Sequence, residues 1–231
     1  MASPSVASHS KTSSRVADTD DVVMARAVQL SVWARRNAKI IIIAAVVALV
    51  LVGGYLFYRY SQAQTAERAA VAFMQVEQTA ASGNATLATR DLQDFVRRFS
   101  GTTEADQARL LLARTHLEAG KPQEAVTVLQ QVEEGPGEPL GARAALLLGI
   151  AQNQAGNRQA AVDTYLRVAD AAELEYLREE ALQQAALLRQ QAGDHAGAAE
   201  LFRRLVGMAE EGSFERSVYE MRLAEAEGRA G

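Results

Sequence analysis

Four glycines recur along this chain at an almost constant interval, each inside a similar short segment. Two of these segments read AGKPQEAV, from Ala119, and AGNRQAAV, from Ala155. The four positions, separated by 37, 36 and 37 residues, are Gly83, Gly120, Gly156 and Gly193. A regular interval of this length is typical of helical repeats, in which each unit packs only against its neighbours. The interval therefore limits the fold more than any other feature of the sequence.

Each glycine separates two segments that have the apolar period of an α-helix, so it is predicted to end one helix at a positive φ. The next residue is Asn84, Asn157 or Asp194 in three cases, and each of these can cap the following helix. In the fourth case Lys121 is followed by Pro122, a residue favoured at the first helical position. The recurring segment is therefore predicted to be the turn of a helical hairpin.

Small and large residues also recur at fixed distances from these glycines. The fifth residue after each glycine is an alanine, at Ala88, Ala125, Ala161 and Ala198. The ninth residue is large, at Leu92, Leu129, Tyr165 and Phe202. An alanine allows the two helices of a hairpin to approach closely, and a large residue one turn later can fill the space between hairpins.

This pattern resembles the tetratricopeptide repeat, a helix pair of about 34 residues. The resemblance covers about residues 66–212 as four repeats, with Val76 where the first repeat would carry a small residue. It implies an all-α fold, an α-solenoid of about four hairpins closed by a capping helix with a polar outer face. The expected repeats are at about 66–102, 103–139, 140–175 and 176–212, and the expected capping helix is at 213–228.

Residues 40–58, IIIIAAVVALVLVGGYLFY, form a run of 19 residues without a charge. As a helix the run would extend roughly 28 Å, close to the hydrocarbon thickness of a bilayer. We therefore expect a single retained transmembrane helix. The main alternative is a signal peptide cleaved after Ala63, although the run and the region before it are long for a signal. A buried core helix is a weaker alternative, because no side of the run is polar.

Charge is distributed unevenly about this run. Residues 1–39 carry six Lys/Arg and three acidic residues, a net charge of +3, whereas the remainder carries a net charge of −7. The excess of basic residues before the run predicts a cytoplasmic N-terminus and places the domain over 59–231 on the opposite side of the membrane. If the membrane is taken to be a bacterial inner membrane, that domain is periplasmic. The negative charge of the long segment argues against nucleic acid as a partner.

The region before the run divides into two parts. Residues 1–21 are rich in Ser and Thr and are predicted to be a disordered cytoplasmic arm. Residues 22–39 are predicted to form a short juxtamembrane helix. This helix could lie at the membrane surface, dock a cytosolic partner or simply extend the transmembrane helix, and the sequence leaves these alternatives open.

No arrangement of residues predicts catalysis. The chain has no cysteine, and its histidines, His9, His116 and His195, do not share the spacing of metal ligands. The serines after the run lack the glycines of a nucleophile elbow. We therefore expect neither an enzyme nor a bound metal or cofactor.

The inner surface of a repeat stack is lined by the first helix of each hairpin. The repeat register places a mixture of apolar, amide and basic residues there, which suits extended or unfolded protein segments better than a small ligand. The alternative is that several of these leucines pack against an adjacent repeat. The candidate binding residues are Phe73, Leu110, Arg114, Leu117, Arg143, Leu146, Ile150, Asn153, Gln183 and Leu187.

The arm, the segment VWARRNAKIIII that leads into the uncharged run, and the divergent repeats together resemble the YfgM-like family over about residues 22–231. Members of that family are ancillary subunits of the bacterial Sec translocon. The resemblance implies a role in passing emerging secreted proteins to periplasmic chaperones, and contact between the arm and a cytosolic regulator. Two other hypotheses are a signalling regulator whose arm sequesters a response regulator, and a general scaffold for envelope assembly.

Overall fold

A computed structural model describes residues 37–230, without the side chains of residues 40, 41, 44, 45 and 58. Within that range the chain is all-helical, as predicted, and contains no strand. The predicted arm at 1–21 and most of the predicted helix at 22–39 lie outside the described residues. The helices are α1 (Ala38–Ala81), α2 (Ala85–Arg98), α3 (Thr103–Glu118), α4 (Pro122–Leu129), α5 (Pro139–Gln154), α6 (Arg158–Ala171), α7 (Glu175–Gln191), α8 (His195–Met208) and α9 (Phe214–Ala230).

Consecutive helices pair as hairpins: the C-terminal part of α1 with α2, then α3 with α4, α5 with α6, and α7 with α8. The four predicted turn glycines lie between the helices of these pairs, at φ values from +70° to +86°. A residue with a side chain in that conformation would destabilise the folded state by roughly 1–2 kcal/mol. The predicted turns are therefore confirmed, and with them the TPR-like solenoid.

Two of the three predicted side-chain caps are present. The Asn84 side chain accepts a hydrogen bond from the Leu87 N–H at 3.1 Å, and Asp194 accepts one from the Gly197 N–H at 2.9 Å. Asn157 also stands at an N-cap, but its side chain makes no capping bond. Helix α6 begins there through the backbone alone, because the Asn157 carbonyl accepts from the Ala161 N–H at 3.1 Å.

The recurring small and large residues form the core, as predicted. The four alanines after the turn glycines are at most 1% exposed, and the four large residues one turn later are at most 3% exposed. Gly149, in α5, shows why small residues are needed: a Cβ there would lie 2.5 Å from the Tyr165 ring of α6. Burial of each large side chain contributes roughly 1.5–3 kcal/mol to folding.

Helix α4 is short: it ends at Leu129, although the apolar period of its sequence continues to Val132. It has 8 residues, whereas α2, α6 and α8 each have 14. The N–H groups of Gln131 and Val132 donate to carbonyls three residues back, which tightens the last turn. Residues 130–138 then continue as a loop that contains the sequence Gly135-Pro136-Gly137.

The chain divides into two compact units, Met1–Ser61 and Gln62–Gly231. In the described part of the first unit, the large apolar side chains from Ile42 to Tyr60 are 51–75% exposed. Considering only residues that the structure describes, we find no helix long and apolar enough to cross a membrane. The transmembrane helix at 40–58 therefore stays a prediction.

Helix α9 closes the last hairpin and buries Tyr219 and Ala226 against it. Its solvent side differs from the expected polar surface, because Phe214 is 80% exposed and Met221 is 61% exposed. These two residues lie seven positions apart, about two helical turns, and therefore on one side of α9. The expectation of a polar outer face was wrong at these two positions.

Candidate protein-binding surface

The first helices of three successive hairpins present equivalent positions to solvent. The residue six positions before the turn glycine is Arg114 in α3, Ile150 in α5 and Leu187 in α7. All three side chains are exposed, and the exposed fraction of both Ile150 and Leu187 is 38%. We call these three residues the inner row.

Four other candidate residues contribute to packing, as the alternative interpretation of the first-helix leucines predicts. Leu110 and Leu146 are only 9% and 6% exposed and lie in hydrophobic clusters. Leu117 is half-buried against one of these clusters, and the Phe73 ring lies 5.7 Å from the Phe95 ring. The physical reason for the correction at the two leucines is that α5 contacts both α3 and α7, which covers one side of each first helix.

Arg143 and Asn153 remain accessible beside the inner row. Arg143, near the start of α5, is exposed and donates a hydrogen bond to the Tyr176 hydroxyl at 3.2 Å. Tyr176 is half-exposed at the start of α7 and is not among the binding residues predicted from the sequence. The sequence spacing could have indicated Tyr176, because it follows Arg143 by 33 residues, nearly one repeat. Both residues therefore lie near the start of a first helix. Asn153 is half-buried on α5.

Gln183 is bound by the closing helix. Its Nε2 donates to the Tyr219 oxygen at 2.5 Å, and the Tyr219 hydroxyl in turn donates to the Glu179 carboxylate. Burial raises the pKa of Tyr219 to about 12, and the hydrogen bond to Glu179 adds to the rise, so the hydroxyl stays protonated at neutral pH. A partner that bound Gln183 would have to replace this hydrogen bond to Tyr219.

The two histidines in the described range are packing residues of α3 and α8. His116 is 7% exposed, and burial lowers its pKa, an effect that nearby Glu124 only partly opposes. His195 is half-buried beside the last turn. Over residues 37–230 no group of His, Cys, Asp and Glu side chains is arranged to hold a metal ion.

The accessible residues therefore combine two aliphatic side chains with guanidinium, amide and phenol groups. Aliphatic contacts and several dispersed hydrogen-bond donors can hold an extended polypeptide, whose backbone offers carbonyl acceptors along its length. The only two cations among the candidate residues are Arg114 and Arg143, on different hairpins.

Solved structures with similar folds support the repeat architecture. A Podosopora anserina protein described as a kinesin light chain with nearly identical TPR-like repeats has a TM-score of 0.56 and 21% identity, over 71% of this chain and 87% of that chain. MamA has a TM-score of 0.52 and 18% identity, over 71% of this chain and 88% of its own. At these identities the likeness concerns the fold alone. No curated protein sequence matches this chain.

The family model for the tetratricopeptide repeat-like domain matches residues 32–164, more than half of the chain. The matched segment contains the turn glycines Gly83, Gly120 and Gly156, all with positive φ. This fold serves widely as a scaffold for protein interactions. The chain belongs to the tetratricopeptide repeat-like domain family.

Proposed function

We propose that this protein is a membrane-anchored adaptor whose repeats bind segments of other polypeptides at the inner row. The observation that carries the proposal is the exposure of Ile150 and Leu187 at equivalent positions of neighbouring first helices. Equivalent positions on stacked hairpins form a line, and an extended peptide can follow such a line. Arg143 and Tyr176 add polar contacts beside it. We assign the protein no catalytic activity and no cofactor.

We further propose that residues 40–58 anchor the protein in a bacterial inner membrane, with a cytoplasmic N-terminus and the repeats in the periplasm. The support is the 19-residue run without a charge, the basic residues before it, and the exposure of apolar side chains such as Leu49 and Phe57, each 75% exposed. Attaching a cysteine-reactive, membrane-impermeant label to a single cysteine placed at position 5 or at position 224 of this cysteine-free chain tests the orientation. Labelling in intact spheroplasts at Ala224→Cys, and at Ser5→Cys only after lysis, is the expected result.

The partners that we propose are translocon subunits, emerging secreted proteins and periplasmic chaperones. The resemblance to ancillary translocon subunits supports this assignment, because it rests on the order of arm, uncharged run and repeats and covers about residues 22–231. Within that assignment, the inner row would bind secreted proteins while they are still unfolded and expose extended segments.

Photocrosslinking in bacterial cells tests the partner assignment on the full chain. A photoreactive phenylalanine analogue is placed at Ile150 or Leu187, and at Leu87 of the second helix α2 as a control with similar exposure, 43%. Adducts with translocon subunits or nascent secreted chains at the two inner-row positions, and none at Leu87, are expected. Adducts confined to probes in residues 1–21, on a response regulator, would instead favour the signalling hypothesis. Equal adducts at all three repeat positions would contradict the inner row as the binding site.

A further inference from the structure

The shortened helix α4 leaves a cleft on the side of α5 opposite the inner row. Residues 141, 145, 148 and 152 recur every three or four positions and line the cleft from α5. Ile150 stands two residues from Leu148, a rotation of roughly 200° around the helix. The cleft has a volume of about 290 Å³, and its apolar lining consists of Leu129, Val132, Pro136, Ala144, Ala145 and Leu148.

The walls of this cleft are fixed by contacts within the chain. The Asp106 carboxylate, paired with Arg109 in the buried part of α3, accepts a hydrogen bond from the Glu133 N–H at 3.2 Å. The Glu173 N–H donates to the Gly137 carbonyl at 3.1 Å, and a Cβ on Gly141 would lie 2.0 Å from the Gly135 carbonyl oxygen. Loop 130–138 is therefore held against α3, α5 and the α6–α7 connection, so a ligand would meet a preformed site.

A buried polar network that includes Gln152 and Thr164 lies at the cleft. The Thr164 hydroxyl, 1% exposed, donates to the Gln152 Oε1 at 2.9 Å and accepts from Arg167 at 3.2 Å. Gln152 is only 8% exposed, and the hydrogen bond from Thr164 engages its Oε1 and not its Nε2. Because Gln152 lines the cleft, this nitrogen is available to a carbonyl group that enters it.

The charges at the cleft indicate a neutral ligand. Arg167 and Glu134 both line it, and neither forms an ion pair with another described residue. One cation and one anion give no preference for a phosphate or for a polycation. The volume is at the lower limit of small-molecule sites, roughly 300–1,000 Å³, whereas one aliphatic side chain can enter an apolar site of this size.

We infer that this cleft is a second peptide-binding site, which takes a leucine-sized side chain of an extended partner segment and binds the adjacent backbone carbonyl through the Gln152 Nε2. The inference rests on the proposed function in that the ligand class, an extended polypeptide, is the same. The partner segment would be uncharged at the anchoring residue and would run along the surface made by loop 130–138 and α6.

Fluorescence anisotropy with the full chain in detergent micelles tests this site. The probes are three fluorescein-labelled, end-blocked nine-residue peptides of Gly and Ser, with Leu, Ala or Asp at the centre. The leucine peptide should bind at least about tenfold tighter than the alanine peptide, because the additional buried methylene and methyl groups stabilise the complex. Equal affinity for the three peptides, or no binding of the leucine peptide, would overturn the inference.

Variants assign the binding to the cleft. Ala145→Phe fills the cleft, and we expect it to weaken the preference for leucine, whereas Ala160→Phe, on the exposed start of α6, should retain that preference in full. Circular dichroism verifies that each variant is helical. Val132→Phe, which fills the cleft from the loop, replaces Ala145→Phe if the latter does not fold. Wild-type affinity in a folded, filled variant contradicts the inference.

The inner-row proposal and the cleft proposal can each be rejected without rejecting the other. The double variant Ile150→Ser, Leu187→Ser removes the aliphatic contacts of the inner row. Any preference for leucine that remains in it is therefore due to the cleft, and adding Ala145→Phe should abolish that remainder. If the double variant loses peptide binding and Ala145→Phe does not, the peptide binds at the inner row and the cleft is rejected. Loss in Ala145→Phe, combined with no crosslinks at Ile150 or Leu187, would retain the cleft and reject the inner row.

Discussion

Single residues in this protein set how closely two helices can approach. The alanines that follow the turn glycines are fully buried, and the large residue of the same helix fills the space one turn later. Gly149 is the extreme case, because the Tyr165 ring occupies the volume that a side chain would need. Other residues act through their hydrogen bonds: Asp106 holds Glu133 of the loop, and Tyr219 joins α9 to α7.

Replacing Gly149 by alanine should lower the free energy of unfolding by roughly 1–3 kcal/mol, because the new Cβ overlaps the Tyr165 ring. Urea denaturation followed by circular dichroism measures the change. Gly207→Ala is the matched control, since that helical glycine has no neighbour within 4 Å. This substitution should raise the free energy of unfolding by at most about 1 kcal/mol. In a Tyr165→Leu background the cost of Gly149→Ala should disappear, and an unchanged cost there would contradict the steric explanation.

His116 should make the protein less stable in acid. Its pKa in the folded state is lowered below the ordinary value of 6.5 by burial, so the unfolded chain binds a proton first as the pH falls. The contribution to stability is complete above pH 6.5 and is lost as the pH falls through the folded-state pKa. Urea midpoints measured between pH 7.5 and pH 4.5 check this, and His116→Gln should reduce the dependence. The same acid loss in the variant would assign it to other groups.

At the scale of the element, the hairpins differ in how their second helices begin and end. Asn84 and Asp194 cap α2 and α8 through their side chains, Pro122 begins α4, and α6 begins without a side-chain cap. Helix α4 is also shorter than the others by about half, which produces the cleft beside α5. The α3–α4 hairpin, whose second helix is shorter than the equivalent helices, is therefore the repeat beside which the proposed second site lies.

The capping difference predicts a difference in stability. Asp194→Ala should lower the free energy of unfolding by about 1 kcal/mol, because the Gly197 N–H loses its acceptor. Asn157→Ala should change it by no more than roughly 0.5 kcal/mol, since its side chain makes no capping bond. Thermal denaturation of both variants compares them under the same conditions. Equal losses in the two variants would show that the Asp194 hydrogen bond does not decide the stability of α8.

At the scale of the whole molecule, each hairpin is stabilised by its contacts with the neighbouring hairpins. The largest hydrophobic cluster extends from α5 to α9 and includes Leu146, Tyr165, Phe202 and Tyr219, whereas two smaller clusters serve the earlier hairpins. In a repeat array each unit depends mainly on its immediate neighbours. The closing helix should therefore matter most for α7 and α8.

Ending the chain after Gly212 should destabilise the last hairpin before the others. Removal of α9 uncovers the surface that Tyr219, Leu223 and Ala226 bury, and the lost tyrosine burial alone corresponds to roughly 2 kcal/mol. Hydrogen exchange should show faster exchange in α7 and α8 than in the full chain, with little change in α3. The control is Phe214→Ser with Met221→Ser, whose exposed side chains should leave the exchange unchanged. Uniform acceleration over all hairpins would contradict nearest-neighbour coupling.

The amino-acid sequence by itself determined the hairpins, since a turn glycine and an alanine five residues later recur in all four repeats, and a capping residue or a proline begins each second helix. It also placed Arg114, Ile150 and Leu187 at one register, because register follows from counting residues back from Gly120, Gly156 and Gly193. Only the tertiary structure decided that Leu110 and Leu146 are buried, that α4 ends at Leu129, and that Tyr219 binds Gln183. These features depend on contacts between residues distant along the chain, and the apolar period of one helix does not reveal which neighbour covers each of its sides.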